Sequence, residues 1–174
     1  MDEIDSLLSQ RTDGENEASR RIKTEFLVQY DGCGTSEQDR ILLIGATNRP
    51  HEIDEAARRR FRKKLYIPLP ESHAREAIVC NLLRTQTHTL SSADIAKVVE
   101  LTEGYSGSDM DGLVREAALG PIRDIKNMLE ISADDVRPIQ MIDFEKALSQ
   151  VRASVSASDL DLYLRFDKEY GSMA

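Results

Sequence analysis

Apolar positions along the chain fall into two regimes. In the first, short continuous apolar runs are bounded by turn residues. Ile41-Leu42-Leu43-Ile44-Gly45-Ala46 lies between a polar loop ending at Gln38 and the abrupt polar stop Thr47-Asn48-Arg49-Pro50. That pattern predicts a strand buried on both faces, as in a parallel sheet. Lys64-Leu65-Tyr66-Ile67 predicts a second short strand. Residues 2–10 are short and partly apolar. Ser19 is placed to cap a helix reaching Tyr30, with Ile22, Phe26 and Leu27 on one face, and Asp31-Gly32 stops it. Ile53 to Arg60 predicts a short helix.

The second regime begins after Pro68-Leu69-Pro70, where two prolines break any regular element. From there the apolar residues recur at helical spacing. Residues 72–85 carry Ala77, Ile78, Leu82 and Leu83. Ser91 or Ser92 caps a helix over 93–102. Ser106 or Ser108 caps a long one over 107–127, striped by Met110, Leu113, Val114, Ala117 and Ala118. Asp143 caps a helix over 143–152, and Ser158 caps a last one over 159–170. Helices with short connections make a small helical domain.

Charge sharpens this division. Residues 1–70 hold 12 basic and 13 acidic side chains; residues 71–174 hold 11 and 18. The total, −8, argues against a broad nucleic-acid face. No stretch approaches the roughly 18 apolar residues of a membrane span, and the acidic start has no signal core. Cys33 and Cys80 lack metal-ligand spacing and read as reduced thiols, which points to the nucleus or cytoplasm.

Three polar features carry candidate chemistry. Asp2-Glu3 pairs two carboxylates, which at a strand end can divide labour: one holds Mg²⁺ through water, the other polarises an attacking water. Acidic pairs are also common on solvated surfaces. Asn48 follows the expected buried strand, where ligands of α/β sheets bind, and its amide can orient a water or a phosphate oxygen. It also suits a turn before proline. Residues 58–64 hold six basic side chains in seven positions. They read as a solvated face, as a nucleic-acid patch, or as arginine fingers inserted into a neighbouring subunit's phosphate site. An aromatic platform for a nucleic-acid module is missing.

Taken in order, these segments resemble the AAA ATPases of the meiotic clade, which holds katanin, spastin, fidgetin and the vacuolar protein sorting ATPase. The resemblance rests on Asp2 to Leu8, Ser19 to Leu27, Gly45 to Pro50, Arg58 to Phe61, Leu65 to Pro70, Gly104 to Asp109 and Ala118 to Arg123. It covers nearly the whole chain. Ser9-Gln10-Arg11, Phe26 to Gln29 and Asp54 to Arg60 look most like the fidgetin-like branch.

The resemblance implies an α/β fold: the C-terminal portion of a P-loop AAA sheet domain, incomplete, followed by an α-helical lid bundle and a C-terminal helix. The implied domains are 1–70, a helical lid over 71–142 and an oligomerisation extension over 143–174. It implies ATP and Mg²⁺ as cofactors, with Asp2 for the metal through water and Glu3 for the hydrolytic water. Asn48 matches the first sensor. Arg59 and Arg60 match paired arginine fingers, with Arg58 as a third. Gly107 and Ser108 match the lid segment beside the adenosine. Arg11, Thr12, Asp13 and Gly14 match a pore loop facing substrate. The implied partners are further copies of the chain in an ATP-dependent hexamer and a protein substrate threaded through the pore, such as an acidic tubulin tail or a recombinase filament.

One part of the family pattern is missing from these residues. A phosphate-cradling G-x-x-x-x-G-K-[ST] should precede the carboxylate pair, and no such sequence occurs. The expectation is therefore a C-terminal part of an ATPase module that does not turn over ATP alone. Residues 1–70, lacking the strand that lies between their two, are expected to be unstable alone, whereas 71–174 could fold. The rival expectation is a non-catalytic fragment that binds full-length subunits.

Overall fold

The computed structural model describes residues 1–10, 16–32, 41–125 and 136–172. They divide into two compact units: Met1–Tyr66 with Asp161–Ala174, and Ile67–Leu160.

Among the described residues up to Tyr66, the first unit holds the α-helices α1 (Ile4–Leu8), α2 (Glu17–Tyr30) and α3 (Glu55–Arg60). Ile4, Leu8, Leu27, Ile53 and Ala57 form its core, with Leu7, Phe26, Ala56 and Phe61 packed around them. The N-cap of α2 is Asn16, not Ser19: its side chain accepts the Ala18 N–H at 3.0 Å, so the helix starts three residues earlier than expected. Ile22, expected on the inner face, points to solvent. Lys23 is buried in its place, because its ammonium donates to the Ser9 carbonyl at 2.9 Å and to Ser9 Oγ at 3.2 Å. A buried ammonium satisfied by oxygens at a helix end replaces the expected apolar contact.

The two expected strands do not form. Residues 41–47 and 61–71 carry no regular secondary structure, and isolated bridges are the only β pairing among the described residues. Ile41, Leu42, Ile44, Leu65 and Ile67 are all at least two-thirds exposed. The apolar run has the composition of a doubly buried strand, but burial of a strand needs neighbours on both edges. Here the backbone of residues 44–46 bonds to Met1 and Ile4, and the backbone of Lys64 to Ser172.

The second unit is helical, as expected. It contains α4 (Ser72–Leu83), α5 (Ser92–Leu101), α6 (Gly107–Ala118), α7 (Gly120–Arg123) and α8 (Met141–Leu148). Val79, Leu83, Val98, Tyr105, Met110, Leu113, Val114, Ala117, Ile139, Phe144 and Ala147 close its core. Reciprocal capping boxes start α5 (Ser91 with Asp94) and α6 (Ser106 with Asp109).

The long helix expected over 107–127 stops at Ala118. Gly120-Pro121 interrupts it, since proline has no N–H and its ring collides with the preceding turn; residues 126 and 127 lie outside the described set. α8 starts at Met141 with Gln140 as its cap, and Asp143, expected as the cap, sits at the third position and bonds back to the Gln140 N–H at 2.9 Å. Asp143 is buried and paired with Arg137, whose two terminal nitrogens reach its carboxylate at 2.7 and 2.8 Å.

A last helix, α9 (Ala157–Tyr170), is started by Ser156, not Ser158: Ser156 Oγ accepts the Asp159 N–H at 3.2 Å. From Asp161 onward it belongs to the first unit.

Candidate functional site

In the first unit the carboxylate segment and the Asn48 segment run side by side. The Met1 backbone nitrogen donates to the Ile44 carbonyl at 2.8 Å, and Ala46 N–H donates to the Met1 carbonyl at 2.9 Å. This alternation is that of a parallel pair. The next bond to the Ala46 carbonyl comes from Ile4 at 3.1 Å rather than from Glu3, because Glu3 turns out of the pairing. Glu3 has φ 50° and ψ 46°, the left-handed region, and is the only non-glycine residue with positive φ among the described residues. For an L residue this conformation costs roughly 1–2 kcal/mol. Asp2 Oδ1 accepts the Glu3 N–H at 2.9 Å, and both carboxylates are exposed. Gly45 permits the close approach: a Cβ there would lie 2.9 Å from Ile4 Cδ1.

Asn48 is exposed and its loop is anchored from two sides. Thr47 Oγ1 donates to Asp5 Oδ1 at 2.5 Å and accepts the Arg49 N–H at 2.9 Å. Tyr163 donates its hydroxyl to the Asn48 carbonyl at 3.0 Å. Asp2 and Glu3 on one side and Asn48 on the other thus lie on two segments tied by backbone bonds at Met1 and Ile4 and by the Thr47–Asp5 bond.

The three arginines of α3 follow one another by about 100° around the helix, so they point three ways. Arg58 places its guanidinium 4.2 Å from the centroid of the Tyr170 ring. Arg59 pairs with Glu55 one turn back and is otherwise turned to solvent. Arg60 grips Asp31 with two nitrogens, at 2.8 and 2.6 Å, and donates to the Ala56 carbonyl at 3.1 Å. The hydrogen bond from Arg60 holds the Asp31 carboxyl below the usual carboxylate range. Tyr30 donates to the Arg60 carbonyl at 3.0 Å.

In the second unit, Gly107 and Ser108 open α6 and are exposed. Asp109 behind them is buried; burial works against its charge, but bonds from Ser106 and Ser154 outweigh it and keep its pKa below the ordinary value. Among the described residues, its neighbours and its own helix backbone aside, nothing lies within 4 Å of a Cβ at Gly107. Arg11, Thr12, Asp13 and Gly14 lie outside the described residues.

The motifs name Asp2, Glu3, Asn48 and the arginines; in the sequence Asp31 serves as a helix stop and Tyr163 as one of the apolar residues of the last helix, and no part in the site falls to either, nor to Asp5, Thr47 or Tyr170. Thr47 and Asp5 stand inside the quoted motifs. The tyrosines lie more than 100 residues from their partners, and no local pattern links them.

Comparison with known families now assigns the chain. Residues 1–69 match the ATPase family associated with various cellular activities (AAA), 92–138 the AAA+ lid domain, and 125–171 the Vps4 C-terminal oligomerisation domain. The chain belongs to the AAA ATPases and carries the C-terminal part of the AAA module.

Within that family it is similar to fidgetin-like protein 1 of Homo sapiens, 58% identical over 173 residues, which are 98% of this chain and 26% of that protein. Spastin of Danio rerio is 46% identical over 173 residues, 98% of this chain and 30% of its own length. The chain therefore spans between a quarter and a third of these curated relatives. A crystal structure of the FIGL-1 AAA domain superimposes with TM-score 0.90 at 52% identity, over 99% of this chain and 57% of that one. The same domain in complex with ADP gives TM-score 0.89 at 52% identity, with the same shares covered. A katanin structure solved for its self-assembly gives TM-score 0.77 at 33% identity, over 96% and 56% of the two chains.

Proposed function

We propose that these residues serve in a Mg²⁺- and ATP-dependent hydrolase that works as a hexamer and remodels protein polymers, as a severing or filament-disassembling machine. The observation that carries this reading is the pairing of Met1–Ile4 with Ile44–Ala46. It runs the backbone that carries Asp2 and Glu3 alongside the backbone that leads to Asn48, with Glu3 held in a strained conformation. In this reading Glu3 takes the proton of an attacking water. Asn48 orients that water, and Arg59 and Arg60 serve a neighbouring copy as fingers: Arg59 is turned to solvent, whereas Arg60 has to leave Asp31 to do so. Gly107 and Ser108 lie beside the nucleotide's base end, and Arg11 to Gly14 face the substrate.

The residues present supply part of such a site: exposed Asp2 would hold Mg²⁺ through water, as one carboxylate suffices when phosphates complete the shell, but the sequence holds no phosphate loop to grip ATP. The reading therefore requires that loop from outside these 174 residues. Nucleotide binding draws support from the ADP complex of the FIGL-1 domain, and assembly from the Vps4-type segment at 125–171.

The missing loop also supports a second reading, in which the 174 residues bind full-length subunits without turning over ATP. ATP turnover separates them. This chain alone is expected to show none, and the ATPase assembled with a complete phosphate loop is expected to lose turnover on Glu3→Gln. Turnover by the chain alone, abolished by Glu3→Gln, would overturn the incompleteness. Undiminished turnover of the assembled Glu3→Gln enzyme would overturn the role of Glu3.

A further inference from the structure

The last fourteen described residues touch both the Asn48 loop and the arginine helix. Tyr163 donates its hydroxyl to the Asn48 carbonyl at 3.0 Å, and its ring stacks near Tyr66 with centroids 6.4 Å apart. Two turns further on, the Tyr170 ring lies under the Arg58 guanidinium at 4.2 Å, with Phe166 packed against Tyr170 at 5.0 Å. Just past α9, Ser172 closes the set. Its N–H donates to the Lys64 carbonyl at 2.8 Å, and its hydroxyl accepts the Lys64 N–H at 3.1 Å. These contacts lie at three places along one short segment, and each meets a different part of the first unit: the loop after residues 44–46, the helix of arginines, and the chain just beyond it.

The chemistry of each contact suits positioning. A hydrogen bond to a backbone carbonyl restrains the peptide plane from which the Asn48 side chain springs, without competing for its amide. A guanidinium over an aromatic face is restrained in direction yet keeps its donors free at the edge. With Arg58 held by Tyr170 on one side and Arg60 by Asp31 on the other, α3 cannot rotate freely about its axis, which fixes where Arg59 between them points.

We propose that Tyr163 and Tyr170 are positioning residues. Through them the C-terminal helix sets the Asn48 loop and the arginine helix, so that the segment at the end of the module acts on the catalytic groups as well as on assembly. The catalytic half of this proposal rests on the ATPase reading above; the positioning half does not.

The test has two readouts. In this chain, hydrogen exchange is measured on wild type, Tyr163→Phe, Tyr170→Phe and Tyr170→Leu. Tyr163→Phe removes one oxygen and is expected to speed exchange of the Arg49 amide. Tyr170→Leu is expected to speed exchange at Arg58 to Phe61, and Tyr170→Phe, which keeps a ring face for Arg58, to behave as wild type. In the assembled ATPase, Tyr163→Phe and Tyr170→Leu are expected to lower kcat roughly three- to tenfold, with KM and oligomer size unchanged.

Wild-type exchange in both variants would overturn the positioning role, whatever the turnover. Faster exchange with wild-type kcat would overturn its catalytic consequence. So would a loss of kcat that disappears when protein concentration is raised, because that loss would report weakened assembly. If the assembled wild type hydrolyses no ATP, the ATPase reading falls, and exchange still decides whether the tyrosines hold these segments.

Discussion

Thr47 Oγ1 donates to Asp5 Oδ1 at 2.5 Å, tying the first turn of α1 to the residue before Asn48. The same oxygen accepts the Arg49 N–H, so one hydroxyl organises both flanks of Asn48. Thr47→Val keeps the β-branched shape and removes both bonds. The fold loses about 1 kcal/mol for the partly buried bond to Asp5 and less for the exposed one from Arg49, and Asp5 turns to water. In the assembled ATPase, turnover is expected to fall more than stability does, read as a drop in kcat at a temperature well below the melting point. Thr47→Ser, which restores the hydroxyl, is expected to recover most of it.

Gly120 stands where a side chain has no room. A Cβ there would lie 2.2 Å from Asp143 Oδ1 and 2.6 Å from its Cγ. Asp143 cannot yield, since it is buried and held by Arg137. Gly120→Ala is therefore expected to destabilise the second unit by roughly 1–3 kcal/mol. Gly112, inside α6, is the control: a Cβ there meets nothing within 4 Å. Gly112→Ala is expected to stabilise by about 0.5–1 kcal/mol, because glycine in a helix interior costs about that much relative to alanine. Denaturant melts of the two variants check the pair, and opposite shifts of the midpoint are expected.

The Arg137–Asp143 pair makes the second unit sensitive to acid. The hydrogen bonds from Arg137 hold the Asp143 pKa below its ordinary value against the opposing effect of burial. A carboxyl with a depressed folded pKa adds stability above its unfolded value, near 3.9, and loses that stability as pH falls through the folded one. Asp143→Asn is expected to cost roughly 2–3 kcal/mol at pH 7, at or below the lower end for a broken buried pair, because Arg137 keeps Asp124. Between about pH 5 and pH 2 the variant's melting temperature should fall less steeply than the wild type's. Parallel curves would show that Asp143 is not the group that titrates.

How much of this was legible follows from the range of each signal. The boxes at Ser91–Asp94 and Ser106–Asp109 are local, three residues apart, and both start helices where the sequence placed them. The apolar stripe of α6 was readable for the same reason; its end was not, because the reading gave the stripe more weight than Gly120-Pro121. Ile41 to Ala46 has the composition of a buried strand, but composition cannot supply pairing partners, and much of the run lies exposed. Lys23 was invisible to a hydrophobic pattern, since what buries it is two oxygens of Ser9. At the site, motif order names Asp2, Glu3, Asn48 and the arginines as the residues to test. The groups that hold them in place, Asp31, Tyr163 and Tyr170, lie 29 to 115 residues from their partners along the chain and become neighbours only in the folded unit.

Glu3 offers a way to separate strain from chemistry. Its left-handed backbone is required by the turn that sends Ile4, rather than Glu3 itself, to the Ala46 carbonyl. Glycine adopts φ 50° without the Cβ conflict. Glu3→Gly should therefore stabilise the first unit by roughly 0.5–1 kcal/mol, the relieved strain less the added freedom of the unfolded chain. The same variant removes the carboxylate that this reading makes the proton acceptor, so the assembled ATPase should lose turnover while melting higher. Glu3→Gln keeps the strain and should melt as wild type while losing turnover as well. If Glu3→Gly instead melted lower than Glu3→Gln, the carboxamide or carboxylate would be contributing contacts to the fold, and the strained turn would have a structural origin instead of a catalytic one.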